Sequence, residues 1–453
     1  MEPHKVSSLQ FSSSCRLFFT CAVLLPCISL VSSANNKTDK LALLAFKAAI
    51  TEDPLGALNS WNHTTDHCGW YGVTCGRLHS RVTGLDLQHL KLSGSISPHI
   101  GNLSFLRFLM LNNNSFNHEI PQQVSHLHSL RILQLFVNAL EGEIPRNLSG
   151  CARLTLLRLG HNRLVGEIPV EVGSLLELEG LSFAWNYLTG TVPSYIGNMP
   201  SLQALSLAGN ELGGKIPRVL GKLTKLKKLG LGPNRLSGTI PPSIFNLSLT
   251  VFDIGGNHIG GNLPANIGFA FPNIEIFTIS SNRFSGAIPR SMSNATALLW
   301  LQVNENQLSG NMPPLDRLNK LKILLIGSNY LGSGGYGDSS FFCSLTNSTS
   351  LLRLDIQSNN FGGTLPECIS NFSVTLSELW LAKNPLFGTI PRALGNLVNL
   401  ERLFLDHSKF SGIVPSVLGN LHNLVELDLS HNKFSGAIPS SLGKASTTPS
   451  RTQ

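Results

Sequence analysis

The segment Leu133-Gln-Leu-Phe-Val-Asn138-Ala-Leu-Glu-Gly-Glu-Ile-Pro145 decides the fold, because its pattern returns along most of the chain. The shared pattern is Leu-x-Leu-x-x-Asn-x-Leu-x-Gly-x-Ile-Pro, which occurs fifteen times, mostly every 24 residues. A fixed period of this length is typical of a solenoid of stacked repeats. Thirteen of the fifteen asparagine positions hold asparagine. These positions are Leu90, Asn114, Asn138, Asn162, Asn186, Asn210, Asn234, Asn257, Asn282, Asn306, Asn329, Asn359, Asn384, Ser408 and Asn432.

Each fixed position of the repeat has a physical reason. The apolar residues five and three places before the asparagine, such as Leu133 and Leu135, share one side of a strand because strand side chains alternate. Stacking the repeats buries this side, and each buried leucine contributes about 1.5 to 3 kcal/mol. The asparagine amide can both donate and accept, so stacked asparagines can bond the turning backbone as a ladder. The pattern therefore predicts a parallel sheet with one strand per repeat.

Composition and charge exclude several classes of protein. The chain has 453 residues, of which 13% are charged and 7% aromatic, unlike a disordered chain. Its net charge of +8 is modest, which disfavours a nucleic-acid partner. Seven basic residues between Lys215 and Arg235 form a local cluster. A wall polysaccharide or an acidic partner could use this cluster, although a solvated charged surface is the commoner explanation.

The first 34 residues are typical of a secretory signal peptide. A short lead with Lys5 and Arg16 precedes an apolar run from Leu17 to Val31, and small residues end at Ala34. This run of about 15 residues is shorter than the roughly 20 that a membrane-spanning helix needs. We therefore expect cleavage after Ala34 and secretion, with an uncleaved membrane anchor as the alternative.

The cysteines after residue 34 divide into two pairs and one single residue. Cys68 and Cys75 are close enough in sequence to form a disulfide that staples a small cap in an oxidising compartment. Cys343 and Cys368 lie one repeat apart, which predicts a second disulfide. Cys151 has leucines on both sides, which indicates an inert buried thiol.

Asn-x-Ser/Thr sequons agree with an extracellular destination. Several occupy one place in the repeat, about twelve residues before the next asparagine position, where glycans would leave the strand face free. Asn113 is an exception because it adjoins the asparagine ladder. Asparagine could equally serve the turn there, since Asn198 and Asn396 hold that place without being sequons. The predicted glycosylation sites are Asn36, Asn62, Asn102, Asn113, Asn147, Asn246, Asn294, Asn347 and Asn371.

Candidate catalytic and metal motifs fail in their context. Gly209 to Lys215 has the spacing of a phosphate-binding loop, but Ile216 replaces the required Ser or Thr. His126 and His128 have no companion acid or cysteine for a metal. The sequence has neither a nucleophile elbow nor the set of protein-kinase motifs. We expect no enzymatic activity, no metal and no cofactor.

Strand residues that point away from the core are free to contact a ligand. Aromatic residues and arginine are enriched at binding hot spots, and the later repeats carry several at these positions. The middle repeats carry small residues there, such as Gly180 and Ser206, which project little. An idle solvated face is the alternative. The predicted ligand-binding residues are Trp300, Gln302, Arg353, Asp355, Glu378, Trp380, Arg402, Phe404 and Asp406.

The repeat with Gly-x-Ile-Pro resembles the plant-specific class of leucine-rich repeats. Leu43-Leu-Ala-Phe-Lys47 and Cys68-Gly-Trp-Tyr-Gly-Val-Thr-Cys75 resemble the N-terminal cap of such proteins. The resemblance implies a curved α/β solenoid of about 15 repeats, with parallel strands on the concave face and a disulfide-stapled cap. We expect a signal peptide over 1–34, the cap over 35–77, repeats over 78–443 and an irregular tail over 444–453.

One repeat departs from the period. The step from Asn329 to Asn359 is 30 residues, and the Gly-rich segment from Gly332 to Asp338 is the expected extra loop. This long repeat, near Phe341 to Asn347, is similar to receptor kinases of the subfamily that senses bacterial protein fragments.

The resemblance implies a function in extracellular recognition. In this family the ectodomain binds a peptide or protein ligand, recruits a co-receptor ectodomain, and signals through a membrane span and a Ser/Thr kinase. It thus implies a plant receptor ectodomain in pathogen perception and innate immunity, here truncated or without its kinase. We expect secretion to the apoplast, or a plasma-membrane location for a longer form. The alternative is a secreted inhibitor of microbial cell-wall-degrading enzymes, similar to polygalacturonase inhibitors.

Overall fold

The computed structural model describes residues 37–444, which form one continuous stack of coils. The expected signal peptide and Asn36 lie outside the described residues. Within the described range, no helix is long and apolar enough to cross a membrane.

Each coil adds one strand to a sixteen-stranded main sheet, whose neighbours follow sequence order. The first pair is antiparallel and all later pairs are parallel. The predicted curved solenoid with a parallel concave sheet is therefore confirmed. The strands are Val73–Cys75, Val82–Asp86, Phe108–Met110, Ile132–Gln134, Leu156–Arg158, Gly180–Ser182, Ala204–Ser206, Lys228–Gly230, Val251–Asp253, Ile276–Thr278, Trp300–Gln302, Ile323–Leu325, Arg353–Asp355, Glu378–Trp380, Arg402–Phe404 and Glu426–Asp428.

A second strand follows most asparagine positions and pairs with its equivalents in the adjacent coils. These strands form shorter lateral sheets, because some coils do not complete the pairing. They are Ser93–Ser95, Ser115–Glu119, Ala139–Glu143, Arg163–Glu167, Tyr187–Thr189, Gly213–Lys215, Arg235–Gly238, His258–Asn262, Arg283–Gly286, Gln307–Gly310, Tyr330–Leu331, Phe387–Gly388, Lys409–Ile413 and Lys433–Ser435.

Short helical turns form the back of the stack, opposite the main sheet. Proline precedes most of them and fixes an extended φ, such as −60° at Pro145, before the chain turns. The α-helices are 37–48, Ile267–Ala270 and Ser339–Ser344. The 3-10 turns are Ala57–Ser60, His67–Gly69, Pro98–Asn102, Gln122–His126, Arg146–Gly150, Val170–Ser174, Ser194–Asn198, Arg218–Lys222, Pro242–Asn246, Arg290–Asn294, Tyr336–Asp338, Leu345–Asn347, Glu367–Asn371, Arg392–Asn396, Ser416–Asn420 and Ser440–Lys444.

At thirteen of the fifteen ladder positions an asparagine links its coil to the one before it. The Asn138 amide nitrogen donates to Leu111 O and Leu135 O, both at 3.0 Å, and its Oδ1 accepts from Phe116 N at 3.0 Å. Asn234 repeats these bonds four repeats later with Leu207, Leu212 and Leu231. The inward-facing Leu133 and Leu135 are fully buried. One polar side chain therefore satisfies three backbone groups that water cannot reach.

The N-terminal cap closes the first end of this core. Buried Asp39 accepts two bonds from the Arg81 guanidinium and one from the Val82 amide, all at 2.8 Å. A disulfide joins Cys68 to Cys75 with their Cα atoms 5.5 Å apart. These contacts fix the helix over 37–48 to the first strands of the main sheet.

The six extra residues between Asn329 and Asn359 form a side loop that is bonded to the neighbouring coil. Buried Asp338 accepts from the backbone N–H groups of Ser333, at 3.0 Å, and Gly362, at 2.9 Å. A second disulfide joins Cys343 to Cys368 in the next coil. The loop is therefore tied to its neighbour at two points.

Candidate ligand-binding face

Main-sheet strands present two columns of side chains to the outside of the concave face. In the three-residue strands from Phe108–Met110 to Arg402–Phe404 the middle side chain is buried, as with Leu354, Leu379 and Leu403, and the outer two face away from the core. Register aligns these outer residues from coil to coil. The first column of the later repeats is Trp300, Ile323, Arg353, Glu378, Arg402 and Glu426, and the second is Gln302, Leu325, Asp355, Trp380, Phe404 and Asp428.

From Arg353 to Glu426 the first column is a row of alternating charges, in which Glu378 lies between two arginines. Glu378 Oε2 lies 3.1 Å from Arg353 Nε, and its Oε1 lies 2.9 Å from Arg402 Nη1. Arg402 Nε also approaches Glu426 Oε2 at 3.7 Å. Both arginines keep more than a third of their side-chain surface exposed, so each retains donors for another molecule.

Two aromatic residues of the second column pack on this row. The rings of Trp380 and Phe404 are 4.4 Å apart between centroids, and both residues are half-buried. Trp380 Nε1 donates to Glu378 Oε2 at 3.1 Å, and the Arg353 guanidinium carbon lies 5.2 Å from the Trp380 ring centroid. The structure thus brings five of the predicted residues, including this ring pair, into one cluster. We call Arg353, Glu378, Trp380, Arg402 and Phe404 the late cluster.

The other predicted residues lie apart from the late cluster or are less accessible. Trp300 is 39% exposed, but its strand is three positions from that of Trp380. Gln302 Oε1 accepts from Thr278 Oγ1 at 3.3 Å. Asp406 is only 7% exposed and bonds His407 Nδ1 at 2.9 Å, so its carboxylate is held beside the sheet.

Asp355 is the predicted site residue whose ionisation the fold changes. It is only 6% exposed, and burial raises its pKa to about 6, although a hydrogen bond from the Gln357 amide and the charge of Arg353 oppose this shift. Burial disfavours the carboxylate because the interior solvates charge poorly. Asp355 therefore acts on the face as a partly neutral group under mildly acidic conditions.

A depression in the middle repeats lies outside the predicted ligand-binding residues. Its floor consists of the small outward residues Gly180, Ser182, Ala204, Ser206 and Gly230, and its volume is about 510 Å³. Its rim is formed by Arg158, Trp185, Lys228 and Asp253. The run of small residues at outward positions, flanked by larger ones, is the sequence signal that could have located it.

Trp185 stands at the edge of this depression. It is 51% exposed, and its ring stacks on that of His161 with centroids 5.8 Å apart. Its other side lies on Gly209, where a Cβ atom would come within 2.6 Å of the indole ring. The absence of a side chain at Gly209 thus allows the indole to lie flat along the sheet.

Several sequon asparagines lie at the ends of the back-face turns and are exposed. Asn102, Asn246, Asn347 and Asn371 each end a 3-10 turn on the side opposite the main sheet. Asn294 ends an equivalent turn, is half-buried and accepts from Arg317 Nη1 at 2.8 Å. Glycosylation at these places stays a prediction, and glycans there would leave the two columns accessible.

Cys151 is buried at the back of the stack. It is fully enclosed, its Sγ lies 3.2 Å from Val124 O, and burial raises its pKa to about 12. A thiol that stays protonated is a poor nucleophile. Its surroundings therefore indicate a packing role.

Three family models match parts of the chain. A leucine rich repeat N-terminal domain matches residues 36–76, and leucine rich repeat models match residues 374–434, 201–223 and 350–372. Among curated proteins, the LRR receptor-like serine/threonine-protein kinase EFR of Arabidopsis thaliana is 51% identical over 98 residues. That match covers 21% of this chain and only 10% of the relative.

Solved structures extend the similarity along most of the solenoid. The crystal structure of a TDR receptor has a TM-score of 0.70 at 32% identity, covering 80% of this chain and 66% of that one. The Arabidopsis receptor kinase HAESA, crystallised with the peptide hormone IDA and the co-receptor SERK1, has a TM-score of 0.63 at 26% identity. That match covers 88% of this chain and 83% of HAESA. This chain is therefore a leucine-rich-repeat solenoid, similar to plant leucine-rich-repeat receptor kinases.

Proposed function

We propose that this chain is the extracellular ligand-recognition part of a plant receptor, and that its concave sheet binds a peptide or protein. The late cluster carries the proposal. It combines two aromatic rings in contact with two arginines that keep free donors, the side-chain types that dominate protein-binding hot spots. The similarity to HAESA, a receptor kinase solved with a peptide hormone, supports the same kind of ligand here.

The existing contacts favour binding without a large rearrangement. Glu378 already holds Arg353, Arg402 and Trp380, so a ligand does not have to order these long side chains itself. Ordering one flexible side chain costs about 0.5 to 1.5 kcal/mol of binding free energy. A ligand that presents an acidic group to the arginines and an apolar group to the rings would match this surface.

The finer parts of the function are proposals as well. Recruitment of a co-receptor is supported by the HAESA complex, which contains SERK1. A role in sensing bacterial protein fragments is supported by the long repeat around Asp338 and by the match to EFR. An extracellular location is supported by the two disulfides, which persist in oxidising compartments.

The test is a peptide-capture experiment with the secreted chain. Peptides retained from a library of bacterial and plant extracellular proteins should be lost when Trp380→Ala and Phe404→Ala are combined. The matched control combines Phe108→Ala and Phe136→Ala, which remove two aromatic rings from the early part of the same face. If the late-cluster variant retained the same peptides as the unaltered chain, the binding site would lie elsewhere. If only the control variant lost peptides, the site would lie in the early repeats.

A further inference from the structure

Nearly all the net charge of the chain is concentrated in one short stretch. Residues 212–252 contain seven lysines and arginines and no aspartate or glutamate. The remaining 27 basic and 26 acidic residues nearly cancel. The modest total of +8 thus conceals a strong local field.

Six of these cations encircle a single coil, and we call them the basic belt. Lys215 ends a lateral strand, the turn Arg218–Lys222 crosses the back, and Lys228 begins a strand of the main sheet. The belt therefore runs from the lateral sheet across the back to the concave face. Its members are Lys215, Arg218, Lys222, Lys225, Lys227 and Lys228.

The belt has no internal counter-charge. All six residues are exposed, and none forms a salt bridge with any residue in the described range 37–444. The seventh cation of the stretch, Arg235, is paired with Glu211 at 3.2 Å. Charges are screened from each other only beyond about a Debye length, roughly 8 Å at physiological salt, so neighbouring cations of the belt repel one another. An external polyanion would relieve this repulsion.

Apart from Lys228, which shares the rim of the middle depression with Trp185, the belt lies on a surface unlike a protein-binding hot spot. Among residues 188–268, no large apolar side chain is exposed in the structure. Five of the six belt residues are lysines, whose ammonium groups act as mobile point charges instead of the rigid fork that arginine offers a single carboxylate. A ligand that carries evenly distributed negative charge and no apolar anchor groups would match this surface.

The belt also lies on an uncovered part of the back. Lys222 ends its 3-10 turn at the place where Asn102, Asn246, Asn294 and Asn371 end theirs. Those asparagines are sequons, and in this coil the place holds a cation. The preceding coils, residues 164–211, contain five glutamates and no lysine or arginine. A polyanion would be repelled there and confined to the belt.

From these observations we propose that the basic belt binds a linear polyuronate, a polysaccharide that carries a carboxylate on each sugar. This site is separate from the late cluster and does not depend on the ligand proposed for it. Attraction comes from several weak ion pairs acting together, so binding weakens steeply as salt is added.

The experiment uses the secreted chain and a fluorescently labelled galacturonate oligomer, with binding followed by anisotropy at low and at physiological salt. In the triple variant Lys215→Gln, Lys222→Gln and Lys225→Gln, affinity should fall by about tenfold or more, and its salt dependence should become shallower. The control triple Lys383→Gln, Lys409→Gln and Lys433→Gln removes the same charge from exposed positions of the later repeats and should change affinity less than about twofold.

Three outcomes would overturn the proposal. The belt variant could bind as well as the unaltered chain, the control triple could lose as much affinity, or a poly-glutamate probe could bind more tightly than the uronate. The last outcome would assign the belt to an acidic polypeptide. Thermal unfolding of both variants verifies folding, and peptide capture through the late cluster should be unaffected in each.

Discussion

Replacing Asn234 by alanine should break one rung of the ladder with a measurable local effect. The change removes the bond accepted from Leu212 N at 2.9 Å and those donated to Leu207 O and Leu231 O at 3.0 and 2.9 Å. All three leucines are fully buried, so water cannot replace the lost partner. At about 1 kcal/mol for each bond, the free energy of unfolding should fall by about 3 kcal/mol.

Thermal unfolding is a weak assay for this change. Unfolding entropy is about 2.1 cal/mol/K per residue. If about 400 residues unfold together, the midpoint temperature of unfolding would therefore fall by only about 3 to 4 °C. Hydrogen exchange is more direct because the Leu212 amide loses its acceptor. Since each 1.4 kcal/mol is a factor of ten, exchange there should accelerate by about a hundredfold.

The structure supplies two controls for this experiment. The Leu236 amide is bonded to Asn257 Oδ1 and should keep its protection. The variant Asn273→Ala alters an exposed asparagine outside the ladder and should leave the Leu212 amide unchanged. If the exchange rate of the Leu212 amide in Asn234→Ala stayed within about threefold of that in the unaltered protein, the ladder would not contribute to stability as argued.

Two further predictions concern the core and the titration of the concave face. Leu207→Ala should lower the free energy of unfolding by about 2 to 5 kcal/mol, because Leu207 is fully buried in the continuous core, and a loss within error in chemical denaturation would contradict this. Because the pKa of Asp355 is raised to about 6, the folded state holds its proton more tightly than the unfolded state, so this residue's contribution to stability falls as pH rises from about 4 through 6. Asp355→Asn should flatten that part of the stability profile by at most about 3 kcal/mol, and an unchanged profile in denaturation at several pH values would show that the carboxyl is not perturbed.

The fold was predictable because its determinants are local and repeated. Leu133, Leu135 and Asn138 each occupy a place that the 24-residue spacing defines, and the structure confirms the burial of the leucines and the sheet that they form. The lateral sheets were harder to predict. Segments such as Arg163–Glu167 alternate little in hydrophobicity, and they pair only because the main sheet has already set the distance between coils.

The candidate site was predictable in membership but not in its contacts. Counting from the asparagine places Arg353, Glu378 and Arg402 on the outer side of consecutive strands, but their order in one row depends on register across coils of unequal length. The burial of Asp355 could not be predicted from the sequence for a related reason. It depends on residues of neighbouring coils, including Gly327, where a Cβ atom would lie 2.7 Å from the Asp355 carboxylate.

The side loop held by Asp338 shows that extra length in one coil does not change how the next coil is bonded to it. Leu331 N reaches Asn359 Oδ1 at 2.9 Å across 28 residues, whereas the equivalent bond from Leu140 N to Asn162 spans 22 residues at 3.0 Å. Extra length in one turn is thus absorbed at the outside while the next rung keeps its spacing. New segments, such as an epitope tag or a reporter peptide, could be grafted at this bulge without shifting the coils that follow.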